Sequence, residues 1–297
     1  MKRVFATLPA LLLVTFCFAH SYRDSVVYTT RIYKQVDSVS LVVHIFHEPK
    51  SSSRELKPAI AFFHGGGWAY GNPSEFFGAC RRYAAMGFIT FSFQYRLSID
   101  KEGNVPHPVL TPIECVKDAR SAMRWVRSHA KEYNIDPQKI VAGGQSVGGH
   151  LTLSTAMIEE HNETTDDLSV SPVPNAMLLY SGTVNTMEAW CDMLMGKQRK
   201  QIWSISPAHN VKKGLPPIAA FHGDDDNIVP IWTVIFFQND MKRVGNHFEL
   251  NRYPGRKHYL GDGDEKFVKQ YSRLFDEQVL LDTDRFLEQF GFIKSKR

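Results

Sequence analysis

The chain has 297 residues, 43% of them hydrophobic and 22% charged, with a formal net charge of +4. This is ordinary globular composition with enough apolar residues for a sizeable core, and the length fits one large α/β domain or two small ones. So mild a positive excess argues against a nucleic-acid binder, which should carry a strong basic stripe.

The N-terminus reads MKRVFATLPALLLVTFCFAHS. Lys2 and Arg3 form a basic region, the stretch to Phe18 is uncharged and mostly apolar, and Cys17 and Ala19 stand at the −3 and −1 positions of a small-residue cleavage site. Residues 1–19 are therefore expected to be a signal peptide cut after Ala19, which predicts a secreted or periplasmic protein of mature charge 4 − 2 = +2. No later run reaches the ~18 apolar residues of a membrane span, so no stable span is expected. Cys80, Cys115 and Cys191 remain after cleavage. Their odd number leaves one disulfide or none open, and their spacing matches no zinc pattern.

The runs SVVYTTRIY and SVSLVVHIF alternate in polarity and flank Val36-Asp37, which suggests an antiparallel pair at a sheet edge. From about residue 55, short apolar runs alternate with helical patterns. PAIAFF (58–63) is a strand candidate, residues 76–86 read as a helix ended by Gly87, and FITFSF (88–93) is the next strand. The spacing predicts a helix over 112–133: Thr111 is a natural N-cap, Pro112 takes the first helical position and Glu114 completes a capping box. Along it Ile113, Val116, Ala119, Met123, Val126 and Ala130 fall on one face. KIVA (139–142), AMLLY (176–180), IAAF (218–221) and HFELNR (247–252) continue the series. Residues 264–292 read as one or two helices with Phe267, Tyr271, Leu274, Phe286 and Phe290 inward. The expected architecture is a mostly parallel sheet of about eight strands with helices on both faces. Residues 20–297 then form a single domain. Residues 158–207 fit the alternation least well, and the Met- and Trp-rich part around 185–205 reads as a short insertion near a site entrance.

Gly144-Gln145-Ser146-Val147-Gly148 follows the strand KIVA and precedes a helical run. A G-x-S-x-G between strand and helix is a nucleophile elbow, which exposes a serine oxygen above the sheet at a helix N-terminus. A phosphate-binding turn would need GxxxxGK[ST] or GxGxxG, and neither is present. His64-Gly65-Gly66-Gly67-Trp68 follows PAIAFF, where three glycines let backbone N–H groups approach a developing oxyanion; the N–H of Val147 is the second source of donors. A serine nucleophile needs an imidazole base, which needs a carboxylate to fix its tautomer. The chain order is serine, acid, histidine. His258 lies in the loop after HFELNR, where the base is expected, whereas His222 reads as structural. The acid belongs to FHGDDDNIVP (221–230), the loop after IAAF. Spacing does not choose among Asp224, Asp225 and Asp226. A calcium loop there would need glycine at about position six and glutamate at about position twelve. Counted from Asp224 these are Val229 and Ile235, so no metal is expected.

With HGGGW, GGQSVGGHL, QYRLS (94–98), DARSAMRWVRSHA from Asp118, NIDP (134–137), FHGDDDNIVP and YPGRKH (253–258), the chain resembles the α/β-hydrolase superfamily from about Val43 to Phe292. Within it, the chain is similar to secreted carboxylesterases and acetyl- or feruloyl-esterase-like enzymes related to the hormone-sensitive-lipase group. The resemblance implies Ser146 as nucleophile, His258 as base and Asp226 as acid, through the pattern H-G-x-x-D-x-x-V-P. It implies Gly66, Gly67 and Val147 as oxyanion donors, with Trp68 and Gln145 contacting substrate. Gln145 stands where the family commonly has an acidic residue, and Val147 where it commonly has alanine. The implied activity is hydrolysis of carboxylic esters through an acyl-enzyme without a cofactor, on short-acyl esters such as acetylated carbohydrate. Amide hydrolysis, as in arylformamidases or prolyl-oligopeptidase relatives, and a non-catalytic binding module on the same scaffold are the alternatives. The oligomeric state is not given.

Overall fold

The computed structural model describes residues 26–49, 55–100, 105–262 and 269–294. The expected leader 1–19 and Phe267 lie outside them. Among the described residues one eight-stranded sheet forms from β1 (Val27–Val36), β2 (Val39–His47), β3 (Lys57–Phe63), β4 (Ile89–Phe93), β5 (Ile135–Gln145), β6 (Ala176–Tyr180), β7 (Ile218–Gly223) and β8 (Phe248–Tyr253). Their spatial order is β1-β2-β4-β3-β5-β6-β7-β8. β1 and β2 pair antiparallel, as does β2 with β4, and every pairing from β4 to β8 is parallel. The alternating runs at the start thus build the sheet edge, and the continuous apolar runs build its doubly covered centre.

The side-chain period of two divides each central strand between two cores. Ala59, Ala61 and Phe63 of β3 face a core shared with α2 (Pro112–Ser128), α3 (Val147–Met157) and α5 (Ile231–Arg243). Ile60 and Phe62 face the opposite core, with α1 (Phe77–Ala85) and α6 (Glu277–Gln289). There Phe62 stacks on Phe76 with centroids 4.6 Å apart. Burial of each such ring contributes about 2–3 kcal/mol.

The helix at 112 begins as its sequence predicts: the Thr111 side chain accepts from Ile113 N–H, and Glu114 reaches back to Thr111 N–H at 2.8 Å. It stops at Ser128 rather than at residue 133. The chain turns through Asn134 in the left-handed region (φ 57°), which asparagine tolerates, and Ile135 N–H meets the Ala130 carbonyl at 2.7 Å to open β5. β5 is accordingly longer than the predicted KIVA. The helix predicted from 76 is preceded by a 3₁₀ turn over Pro73–Phe76, capped by Asn72. The segment around 185–205 forms α4 (Ala189–Met195) and a 3₁₀ turn over Gly196–Ile205. Cys80, Cys115 and Cys191 are buried free thiols.

Candidate active site

The loops that leave the C-terminal ends of β3, β5, β7 and β8 meet over one edge of the sheet, the usual location of sites in parallel α/β folds. Ser146 sits between β5 and α3 with φ 55° and ψ −120°, a conformation few non-glycine residues adopt. Its N–H donates to the Tyr180 carbonyl at 2.9 Å, and its carbonyl accepts from Thr183 N–H at 3.0 Å. The flanking glycines are required by close approach: a Cβ on Gly144 would lie 2.2 Å from the Gly148 backbone, and one on Gly148 2.0 Å from the Phe63 carbonyl oxygen. The elbow motif therefore records how tightly α3 is pressed against β3.

Asp226, in the loop after β7, is almost fully buried. One carboxylate oxygen, Oδ1, accepts from the N–H groups of Ile228 and Val229, both at 2.9 Å. The other accepts from His258 Nδ1 at 2.8 Å and lies 3.2 Å from His222 Nε2. Burial alone would raise the pKa of this carboxyl. The hydrogen bonds from His222, His258 and Val229 N–H outweigh it and hold the group well below the usual carboxylate range. Asp226 is thus an anion that fixes His258 as the Nδ1–H tautomer, with its Nε2 lone pair turned to the cavity. Of the other two aspartates, Asp225 is exposed and Asp224 is half-buried, accepting from Arg252 Nε at 2.8 Å.

His258 and Ser146 line one cavity of about 430 Å³, together with Gly66, Gly67 and Gln145. Gly66 (φ 101°) and Gly67 (φ 65°) hold backbone conformations suited to glycine, and no acceptor among the described residues takes their N–H groups. The loop that carries them is anchored from behind, where the Tyr95 hydroxyl donates to the carbonyls of His64 and Gly65. Val147 follows the nucleophile with its side chain in the core, so its backbone alone is available to the site.

Trp68, expected to touch substrate, is instead buried. Its positive φ of 57° turns the ring inward, where its Nε1–H donates to His150 Nδ1 at 3.2 Å, and His150 Nε2–H donates to the Ile205 carbonyl at 2.7 Å. The wall position belongs to Trp190 of α4, whose ring lies 5.1 Å from that of Trp68 and so close over Gly67 that a Cβ there would lie 2.2 Å from it. Asn185, Glu188, Tyr70 and Tyr259 complete much of the wall. These residues were not singled out individually from the sequence; the signal for three of them was the irregular segment around 185–205. His222, read as structural, donates to both the Val229 carbonyl (2.8 Å) and Asp226. Among the described residues no group of histidine, cysteine and carboxylate side chains is arranged to hold a metal ion, and no helix is long and apolar enough to cross a membrane.

A buried carboxylate behind the imidazole it orients, and a strained serine and unpaired N–H donors that line one cavity with that imidazole, are the parts that acyl transfer needs. Comparison with known proteins agrees. A family model described as BD-FAE matches residues 44–241. The chain is similar to the esterase 2 of Thermogutta terrifontis phosphoramylated by tabun, at 34% identity and a TM-score of 0.79, covering 91% of this chain and 97% of that one. It is similar to the propionate-bound form of the same esterase at 32% identity and a TM-score of 0.79, covering 93% and 98%. Among curated proteins it is 26% identical over 263 residues to a probable isoprenylcysteine alpha-carbonyl methylesterase of Arabidopsis thaliana, and 29% identical over 141 residues to the esterase LipI of Mycobacterium tuberculosis. These alignments cover 81% and 47% of this chain, but only 52% and 39% of the length of those two proteins.

Proposed function

The chain belongs to the BD-FAE family of α/β-hydrolase fold, and on that premise we propose that it is a serine carboxylic-ester hydrolase that works through an acyl-enzyme. The observation that carries the reading is the hydrogen bond from His258 Nδ1 to Asp226 at 2.8 Å, which leaves Nε2 facing a cavity that also holds Ser146. In the first half-reaction Ser146 Oγ attacks the ester carbonyl while His258 Nε2 takes its proton. Negative charge then develops on the carbonyl oxygen, where the N–H groups of Gly66, Gly67 and Val147 receive it. Collapse breaks the bond to the alcohol, which leaves with the proton from His258. In the second half-reaction water gives a proton to His258 and attacks the acyl carbon; collapse breaks the bond to Ser146 Oγ, which takes that proton from His258, and the acid leaves. The Thermogutta terrifontis esterase is named as phosphoramylated by tabun, an adduct of the kind a nucleophilic serine forms, which supports the reading of Ser146.

The substrate class we propose is a short-acyl ester of a carbohydrate-like alcohol. The cavity is about 430 Å³, and Trp190 packed over Gly67 limits the room beside the oxyanion donors. The aromatic faces of Tyr70, Trp190 and Tyr259 beside the polar Thr183, Asn185 and Glu188 suit a ring that carries hydroxyls. The propionate bound by the Thermogutta esterase fits a small acyl group. We further propose that residues 20–297 act as one secreted or periplasmic domain after removal of residues 1–19, with 185–205 as its insertion. Hydrolysis of p-nitrophenyl acetate should fall at least about 10³-fold in Ser146→Ala. Undiminished turnover in that variant sinks the assignment. A p-nitrophenyl series from acetate to octanoate should decline with chain length, and acetylated xylan should release acetate. N-terminal sequencing of the exported protein should begin at His20.

A further inference from the structure

The base has a polar partner in the cavity other than the nucleophile. Gln145 Nε2 lies 3.0 Å from His258 Nε2, and no hydrogen bond joins Ser146 to His258 among the described residues. His258 Nδ1–H is committed to Asp226, so Nε2 has one lone pair to offer. The Gln145 amide therefore competes with the Ser146 hydroxyl for the same acceptor. The other end of that amide lies against the oxyanion loop: a Cβ on Gly65 would be 2.0 Å from Gln145 Oε1. The side chain is 2% exposed and lines the cavity, so it bridges the donor loop and the base at the place where an acyl group must sit. We infer that Gln145 is a positioning residue that caps His258 Nε2 and must yield it to Ser146 for the nucleophile to be activated.

An amide N–H pointed at Nε2 favours the neutral imidazole, because the imidazolium carries a proton on that nitrogen. The acidic residue that the resemblance puts in this position would do the opposite, accepting from the imidazolium and holding it charged. Gln145 thus holds the Nε2 lone pair of the base with a neutral donor. The other titratable groups near His258 are Asp226 with His222 behind it, Tyr259 beside it in the same loop, and Tyr70 and Glu188 of the cavity wall. Arg256, paired with Asp276, and Lys257 precede it in the chain.

The inference rests on the serine-esterase reading, and the experiment separates the two. Purified wild type, Gln145→Met and Gln145→Glu are treated with diisopropyl fluorophosphate, the adduct is located by mass spectrometry, and kcat/KM for p-nitrophenyl acetate is followed from pH 5 to 8. If wild type takes no adduct on Ser146, the esterase reading falls. If it does, the variant-to-wild-type ratios decide the cap. Met matches the glutamine in length and lacks the donor. It should be modified about two- to tenfold faster, the factor that one net hydrogen bond represents. The acid limb of kcat/KM should move up by about one pH unit in Gln145→Glu. Slower modification of Gln145→Met, or rates and pH profiles equal to wild type in both variants, would overturn the inference. Should Gln145→Met fail to fold, the acid limb of Gln145→Glu decides alone.

Discussion

Three adjacent aspartates of one loop differ chiefly in what the chain brings to them. Asp226 receives two backbone N–H groups and two imidazoles, Asp224 receives one arginine, and Asp225 is exposed. Asp226→Asn should lower kcat by about 10³–10⁴ through loss of the anion that fixes the His258 tautomer, while Asp225→Asn stays within about twofold by the small effects of exposed substitutions. Steady-state kinetics with a melting curve for each variant checks both. His222→Leu should lower kcat/KM about tenfold, the value of one hydrogen bond to a charged group. It should also raise the acid limb, because a less well-solvated Asp226 holds the protonated His258 more tightly. A packing role alone would lower stability and leave that limb in place. The sequence located this loop, but only its family pattern chose among the carboxylates. The physical reason for the choice lies in N–H directions that no residue spacing encodes. The hold of His222 on Asp226 is hidden for the same reason: its partner stands four residues along a turn whose geometry the sequence leaves open.

At the scale of elements, the central strands, the elbow and the capped α2 were legible because each is a local pattern. What joins them is not local. Asp118 on α2 is fully buried and accepts from Lys34 of β1 at 2.6 Å and from Arg96 through Nη2 at 2.7 Å and Nε at 2.8 Å. Glu163 contacts the same two cations. Nearby, Asn162 Oδ1 accepts from Arg120 and Arg124, so Asn162 is committed to holding the loop after α3 onto α2. Lys34 and Asp118 are 84 residues apart, and periodicity gave no hint of their pairing. Asp118→Ala leaves two buried cations sharing one half-buried carboxylate. It should cost about 3–5 kcal/mol in urea unfolding. A loss under about 1 kcal/mol would mean that Glu163 alone suffices. The segment around 185–205 is legible in the sequence only as irregular. That it would supply Trp190 in place of Trp68 is not legible, because the exchange depends on the positive φ that turns Trp68 into the core.

For the whole molecule, the same buried imidazoles that support the site set a limit in acid. Burial pushes His64 and His150 down to about 4, against the backbone hydrogen bonds to Gly65 and Ile205 that raise them. Their folded pKa values lie below the unfolded value near 6.5, so the unfolded chain takes up protons that the folded chain refuses. Their contribution is complete above about pH 6.5 and is lost as pH falls towards 4, on the order of 3 kcal/mol for each histidine. Burial pushes His44 and His161 in the same direction. The Asp226 carboxyl, held down by its donors, weakens the fold only below the unfolded carboxylate value near 4. The loss between about pH 6.5 and 5 therefore belongs chiefly to the histidines, with glutamates such as Glu163 joining below that. His150 is the more telling of the two, because it joins Trp68 to Ile205, at the end of the 3₁₀ turn after α4, across the elbow helix. Its Nδ1 accepts from an N–H, so a proton there would set two donors against each other. His150→Phe should be less stable than wild type at pH 7, since Trp68 Nε1–H and the Ile205 carbonyl lose their partner. Its stability should nevertheless fall less steeply between pH 6.5 and 4, by about 1.4 kcal/mol per pH unit, the slope of one proton. Urea unfolding at half-unit steps of pH measures both slopes. Parallel slopes for variant and wild type would assign the acid sensitivity to other groups.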